Sequence, residues 1–367
     1  MKKTLIALAT LASFGSAFAQ TSVTMYGVLD IGLSNTNTTT GAGSNSTTAV
    51  TDGGYVSPSH LGIKVQSDLG GGLTAYGQLE EGFSSQNPAN GFTAAGATNR
   101  GANIGIGGSF GRVDFGTMWG PYDNVANDVL NYNHFSPYSS MLNAGAAFGD
   151  NGSGTISKTA VNGNAAGTTT GSIQYTTPTV GGFNAAFNYA PQKDGFGNDA
   201  STTQADVTYA AGPLAINAAY EHVPTVFTND GTAATVYVLA GNASPYSNGW
   251  HIDGVYDLTV AKLGLSIMGS SVNGVLANGA GTDTDAGWTL GASFPMGQWT
   301  PGISIASVKV SGDNLNQTTT AYGAQALYSM SKMATYYIGY RNAKTTYVSG
   351  ASDTTVGYFA TGLTFAF

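Results

Sequence analysis

The chain has 367 residues, of which 9% are charged and 53 are glycine, against about 25% charge and about 7% glycine in ordinary soluble domains. A soluble protein with so few charges would carry a sticky surface, and an aromatic content of 11% argues against disorder. A balance of 12 basic to 20 acidic residues, net −8, excludes a nucleic-acid partner, and the absence of cysteine excludes a disulfide-stapled scaffold.

The chain opens on basic Met1-Lys2-Lys3, continues through an apolar stretch from Leu5 to Phe18 and reaches a small-x-small site at Ala17-Phe18-Ala19, the pattern of a secretory signal peptide over 1–19. Roughly 15 apolar residues are too few to span about 30 Å of hydrocarbon. Residues 20–367 then form one domain, in which the loss of Lys2 and Lys3 leaves 10 basic against 20 acidic residues, net −10. No later run of 18 apolar residues offers a membrane helix.

From Val23 onward the chain alternates: Val23, Met25, Gly27, Leu29, Ile31 and Leu33 fall on one face, Thr24, Tyr26, Val28 and Asp30 on the other. That period of two predicts a strand. The beat returns at Trp250–Leu258, Trp288–Phe294 and Tyr336–Tyr340, and in the last segment, where Phe359, Thr361, Leu363, Phe365 and Phe367 share a face. Between the strands, tight Gly/Pro turns at 68–72, 109–111, 178–182, 212–213, 257–264, 295–297 and 329–333 alternate with long Asn/Thr/Gly/Ser segments. The long ones are 35–56, 85–98, 120–170, 191–202, 224–249, 273–286, 312–319 and 345–353. Fifteen connections predict about 16 strands, an even number with both ends on the short-turn side, which fits a closed antiparallel transmembrane β-barrel. Closure is required because an open sheet edge in hydrocarbon strands backbone groups at several kcal/mol each, and a barrel this wide leaves an aqueous channel. A soluble β-sandwich conflicts with the low charge and the strand number, and a β-helix with the lack of a fixed repeat.

Charges facing lipid near mid-membrane cost about 2–4 kcal/mol for Lys or Arg, so strand charges are expected inside: Asp30, Lys64, Glu80, Asp206, Glu221, Asp253 and Arg341. Arg100 shares its parity with Ala102, Ile104 and Ile106, which leaves a bulge or a subunit interface to explain it. The acid excess predicts a weak cation preference. Neighbouring Glu80 and Glu81 point to opposite faces and cannot flank one glycosidic bond. The histidines, His60, His134, His222 and His251, lack a metal-binding spacing, and a GxGxxA match at 195–200 sits in a Gly/Asn loop with no helix after it. No catalytic, metal or cofactor site is expected.

Five segments in order, "SVTMYGVLDIGLS" (22–34), "SHLGIKVQSDLGGGLTAYGQLEEGF" (59–83), "NRGANIGIGGSFGRVDFG" (99–116), "GSIQYTTPTVGGFNAAFNYA" (171–190) and the terminal "GLTFAF", make the chain resemble the trimeric general-diffusion porins of Gram-negative outer membranes, most closely those of β-proteobacteria. The resemblance implies a homotrimer of 16-stranded barrels with short periplasmic turns, long extracellular loops and a third loop, here about 120–170, folded into the pore. It implies passive diffusion of ions and small hydrophilic solutes, with a substrate-selective channel for sugars or small organic acids as the alternative; an outer-membrane hydrolase and a surface adhesin are the competitors from other classes. The constriction positions it implies are His60, Lys64, Arg100 and Thr117 on the wall, with Thr117 where the family often has Arg, and Asp123 and Asp128 on the loop. The enterobacterial Pro-Glu-Phe-Gly-Gly loop tip is absent. The resemblance further implies outer-membrane lipids and lipopolysaccharide as surroundings and the barrel-assembly machinery as a partner that reads Phe365 and Phe367.

Overall fold

The computed structural model describes residues 21–52, 56–84, 98–123, 129–130, 135–137, 168–191, 201–224, 246–276, 279–313, 316–348, 350 and 352–367. The expected leader at 1–19 and the loop residue Asp128 lie outside them. Seventeen strands follow in chain order: β1 (Thr21–Thr40), β2 (Gly43–Thr51), β3 (His60–Gly70), β4 (Leu73–Gly82), β5 (Thr98–Gly108), β6 (Gly111–Trp119), β7 (Thr168–Thr176), β8 (Phe183–Ala190) and β9 (Thr202–Ala211). The rest are β10 (Leu214–Pro224), β11 (Tyr246–Asp257), β12 (Lys262–Leu276), β13 (Gly279–Ser293), β14 (Trp299–Gly312), β15 (Asn316–Ser329), β16 (Ala334–Tyr347) and β17 (Thr354–Ala366). A 3-10 turn, Pro121–Asp123, follows β6.

Apart from β2 and β3, which both pair with β1, consecutive strands pair antiparallel, and β1 pairs with β17 from Val28↔Ala366 to Thr39↔Thr355, so the sheet closes on itself. The closing ladder ends where Gly27 and Phe367 exchange two backbone hydrogen bonds of 3.0 and 3.1 Å. On its other edge β1 serves two partners: Thr21–Val28 pairs with β3, and Gly32–Thr40 pairs with β2. β2 and β3 therefore occupy one position in turn, and seventeen segments make 16 staves.

The ladder breaks between these partners at Leu29–Ile31, and Asp30 bridges it. Its backbone N–H donates to Ser59 Oγ at 3.0 Å, and its carboxylate accepts the Val56 and Ser57 N–H groups at 2.7 and 3.0 Å. Tyr337 O–H donates to the second carboxylate oxygen at 2.8 Å.

The tight turns fall near the expected positions. At Gly70, Gly71 and Gly72 three successive positive φ values of 78°, 63° and 80° make a backbone only glycine adopts at no steric cost. Two of the expected long loops differ: 35–56 contains the β1–β2 hairpin, and 273–286 is mostly the paired ends of β12 and β13. In the hairpin both faces are exposed and the residues are Thr, Asn and Ser, so no apolar/polar contrast marks the strands.

Burial is inverted relative to a soluble protein. Leu29, Ile31, Leu33, Ile104, Leu265, Leu290, Ile303 and Ile305 are exposed on the outer face, while Asp30, Asn188, Asn217 and His251 are fully buried inside. Over most of the wall the alternation is thus apolar outward and polar or small inward, as hydrocarbon outside and water inside require; the far end of β14 departs from it, with Val308 and Val310 buried inward and Lys309 exposed outward. Aromatic side chains collect on the outer face near the short turns: Phe110, Phe183, Trp299, Phe365 and Phe367 are exposed there, with Phe183 stacked on Tyr209 at 4.5 Å and Trp299 on Tyr328 at 4.7 Å. Such a belt marks a membrane interface. The described parts of the third long segment lie inside: Tyr122, Leu130, Phe135 and Ser136 are buried, and Phe135 forms a small apolar cluster with Tyr337, Tyr358 and Ala360.

Candidate functional site: the barrel interior

The first wall of the interior runs over β1 and β3–β6 and holds charge. Glu80 accepts Tyr26 O–H at 2.6 Å on one oxygen and Arg100 Nε–H at 2.7 Å on the other. Arg112 Nη2 and Nε donate to Asp114 Oδ1 at 2.6 and 2.9 Å, with Asn103 Nδ2 at 3.3 Å. Each basic side chain also lies on an aromatic ring: Lys64 over Tyr26 at 4.6 Å, Arg112 over Tyr76 at 4.4 Å and Arg100 over Trp119 at 5.2 Å. These placements add cation–π attraction, for Arg100 and Arg112 on top of ion pairing.

Arg100 reaches the interior because of a bulge. Glu80 pairs with Gly101 and Glu81 with Asn99, so Arg100 is the extra residue and its side chain turns inward to Glu80. Thr117 sits in a second irregularity, between the pairs Gly116↔Ser172 and Met118↔Thr169, and is buried. His60 is buried, its Nδ1 2.7 Å from the Pro58 carbonyl oxygen. Lys64 is exposed on the inward side, with no carboxylate in contact among the described residues.

The second wall, over β8–β11, holds the acids under cover. Asp206 Oδ1 accepts the Ala186 N–H at 2.9 Å and Oδ2 the Asn217 amide at 3.1 Å. Glu221 lies 3.4 Å from Gln204 Nε2. His251 stands between Asp253 Oδ2 at 2.6 Å and the Tyr122 carbonyl oxygen at 2.8 Å, with the Tyr122 ring edge-on to it at 4.9 Å. The imidazole therefore ties the 3-10 turn, with half-buried Asp123 at its end, to β11. Arg341, on β16, is buried inside. Asp30 faces inward but is wholly buried, and its oxygens are occupied by the donors described above.

Sequence parity thus places Asp30, Lys64, Glu80, Asp206, Glu221, Asp253 and Arg341 on the inner face, but only Lys64 among them is exposed there. The Arg112–Asp114 pair and Tyr76 are absent from the sequence-derived candidates, and Tyr26 and His251 enter there by strand parity or residue type alone. The signal existed: Arg112 and Asp114 alternate with Val113 and Phe115, and an inward reading of that alternation would have found the pair.

Residues 4–347 match the family described as Gram-negative porin. Among curated relatives, outer membrane porin protein 32 of Delftia acidovorans is 35% identical over 193 residues, 52% of this chain and 50% of that protein, so the match spans half of that relative's length. An outer membrane porin protein of Bordetella pertussis is 30% identical over 321 residues, 81% of this chain and 73% of that protein. Among solved structures, an anion-selective porin from Comamonas acidovorans aligns with a TM-score of 0.74 at 22% identity, covering 95% of this chain and 100% of that one. The trimer form of OmpT, an outer membrane protein of Vibrio cholerae, aligns with a TM-score of 0.65 at 13% identity, covering 95% and 99%.

Proposed function

Because the chain belongs to the Gram-negative porin family, we propose that it forms a water-filled channel for passive diffusion of ions and small hydrophilic solutes across the outer membrane, working as a homotrimer after removal of residues 1–19. The observation that carries this reading is the inverted burial: a closed wall with apolar residues outside and buried polar side chains inside. Such an arrangement has a use where water fills the interior and lipid surrounds it. Nothing in the reading calls for covalent chemistry, a metal or a cofactor. Single-channel recording of the purified oligomer in planar bilayers tests it: ohmic steps in groups of three support the trimeric channel, and a folded oligomer that never conducts refutes it.

The sign of ion preference depends on which interior charges water reaches. Counting all charges supports a weak cation preference, the expectation from sequence. Exposure supports the opposite: Lys64 is exposed and the Arg112 side chain is 40% exposed, whereas those of Glu80 and Asp114 are 9% and 6%, and Asp206, Glu221 and Asp253 are buried. The Arg100–Glu80 and Arg112–Asp114 pairs cancel, so the surplus cation nearest the water is Lys64, exposed and with no carboxylate in contact among the described residues, whereas Asp206, Glu221 and Asp253 are screened from a passing ion by burial. We therefore favour a lean toward anions, the property named for the Comamonas porin of similar fold. Reversal potentials under a salt gradient decide it, since a cation-side reversal potential would restore the expectation from charge count.

A further inference from the structure

Proceeding from the channel reading above, we propose that Gly249, Gly291, Gly302, Gly323 and Gly339 are positioning residues for the inner loop: notches in the wall, each fitted to one loop residue, that together set how far the loop stands into the channel. The loop residues meet them in chain order. A Cβ at Gly249 on β11 would stand 2.6 Å from the Tyr122 hydroxyl oxygen; one at Gly291 on β13 would strike Val129 Cγ2; and one at Gly302 on β14 would stand 2.6 Å from Leu130 Cδ2. On β15 a Cβ at Gly323 would strike the Phe135 carbonyl oxygen, and on β16 a Cβ at Gly339 would stand 2.5–2.7 Å from three ring carbons of Phe135.

Non-bonded carbons settle at about 3.5–4.0 Å, so even an alanine at these sites must displace the loop or the wall. The wall is a paired ladder on both sides, with every strand involved bonded to two neighbours. The loop residues Tyr122, Val129, Leu130 and Phe135 sit in no strand ladder, so they are the part expected to give way. Two outward-facing glycines on the same barrel have no such fit: a Cβ at Gly77 or Gly254 would meet nothing nearer than 3.9 Å. Glycine there is not required by the loop, which makes Gly254 an internal control on β11.

The deepest notch is at Phe135, which is fully buried with its ring 6.1 Å from that of Tyr337 and 6.4 Å from that of Tyr358. Gly323 and Gly339 are inward positions on neighbouring strands, and together they make the floor on which this residue rests. Filling the Gly339 notch with one methyl moves the ring toward the channel axis. A displacement in that direction narrows the water path, because the loop has wall on one side and the lumen on the other.

Single-channel conductance of the purified oligomer tests the idea in four variants: G339A, F135A, the double variant F135A/G339A and the control G254A. We expect G339A to lose roughly a fifth of the conductance, as a loop shift of about 1 Å in a narrow aqueous pore implies, with G254A unchanged. F135A removes the ring that the methyl would strike, so the double variant should conduct like F135A alone, a non-additivity that reports direct contact. Wild-type conductance in G339A, or an equal loss with and without Phe135, overturns the proposal. Should G339A fail to assemble, L130A, G302A and their double variant give the same readout on β14. Absence of conductance in the wild-type oligomer would instead sink the channel reading itself.

Discussion

The two sides of the interior are built on opposite rules. On β3–β6 inward positions carry long polar side chains: Lys64 and Arg112 meet water, Tyr76 lies under Arg112, and Glu80 and Asp114 are covered by their partners. On β11–β16 several inward positions carry no side chain at all, and the gaps are filled by Tyr122, Val129, Leu130 and Phe135 from the inner loop. The strands are the same in pairing and in outer surface. What differs is what covers an inward glycine: on β3 and β5 Gly62, Gly105 and Gly107 are covered by Tyr26, Asp114 and Tyr76 of the wall itself, and on β11–β16 the loop does it.

The contrast exists only while the barrel is closed, so the largest effect should come from the seam. Phe367 exchanges two backbone hydrogen bonds with Gly27, and its ring lies where a Gly27 Cβ would stand, 2.7 Å from its Cζ. Deleting Phe367 should sharply reduce assembled protein in outer-membrane fractions while leaving the conductance of any channel that does form unchanged; normal membrane levels would speak against both the seam and the assembly-signal role. Next comes Tyr337→Ala, which removes the support of Phe135 and a donor to buried Asp30. It should cost about 3–5 kcal/mol, in line with other buried aromatic truncations, read as a lower urea midpoint for unfolding. The same measurement on Arg112→Ala, on the charged side, should show a smaller loss, because that side chain is 40% exposed and its hydrogen bonds compete with water. Equal losses would erase the distinction between the walls.

Selectivity should respond on the charged side. Lys64→Glu replaces an exposed inward cation with an anion, and should move the reversal potential toward cations while lowering the unfolding midpoint only slightly, by the lost contact with the Tyr26 ring, worth about 0.5–1 kcal/mol. A reversal potential that does not move would mean that Lys64 lies off the ion path. The smallest effect is expected at the short-turn rim, where Lys262 and Asp257 sit 3.6 Å apart with side chains 48% and 43% exposed. Lys262→Gln should leave the unfolding midpoint where it is, since exposed pairs contribute about 0–1 kcal/mol.

Much of the barrel is legible in the alternation. Hydrocarbon outside and water inside force a strict period of two, so Leu29/Ile31/Leu33 against Asp30, or Ile303/Ile305 against Ser304, declare their sides without a structure. Where both faces meet water the contrast vanishes, which is why the Thr/Asn/Ser hairpin of β1 and β2 reads as a loop. Parity also fails at a bulge: one inserted residue turns Arg100 from the face of Ile104 to the face of Glu80. The notches are hidden for another reason. An inward glycine leaves no mark in a hydropathy pattern, and its meaning depends on a loop residue far away in the chain, as with Phe135 and Gly339. The covering of charges is equally out of reach, because parity says which side of a strand a carboxylate takes and not whether another side chain lies over it.

The change of partner along β1 has a mechanical consequence. A strand that pairs with β3 below and β2 above leaves a short gap in the fence, and for a vessel in a membrane such a gap is a sideways leak. Asp30 closes it with one backbone donor and two carboxylate oxygens, drawing Val56, Ser57 and Ser59 against the break and fastening them to Tyr337. A single aspartate thus works as a gasket. It lets the first strand of the barrel continue upward into an exposed hairpin while the wall beneath stays sealed against ions and lipid.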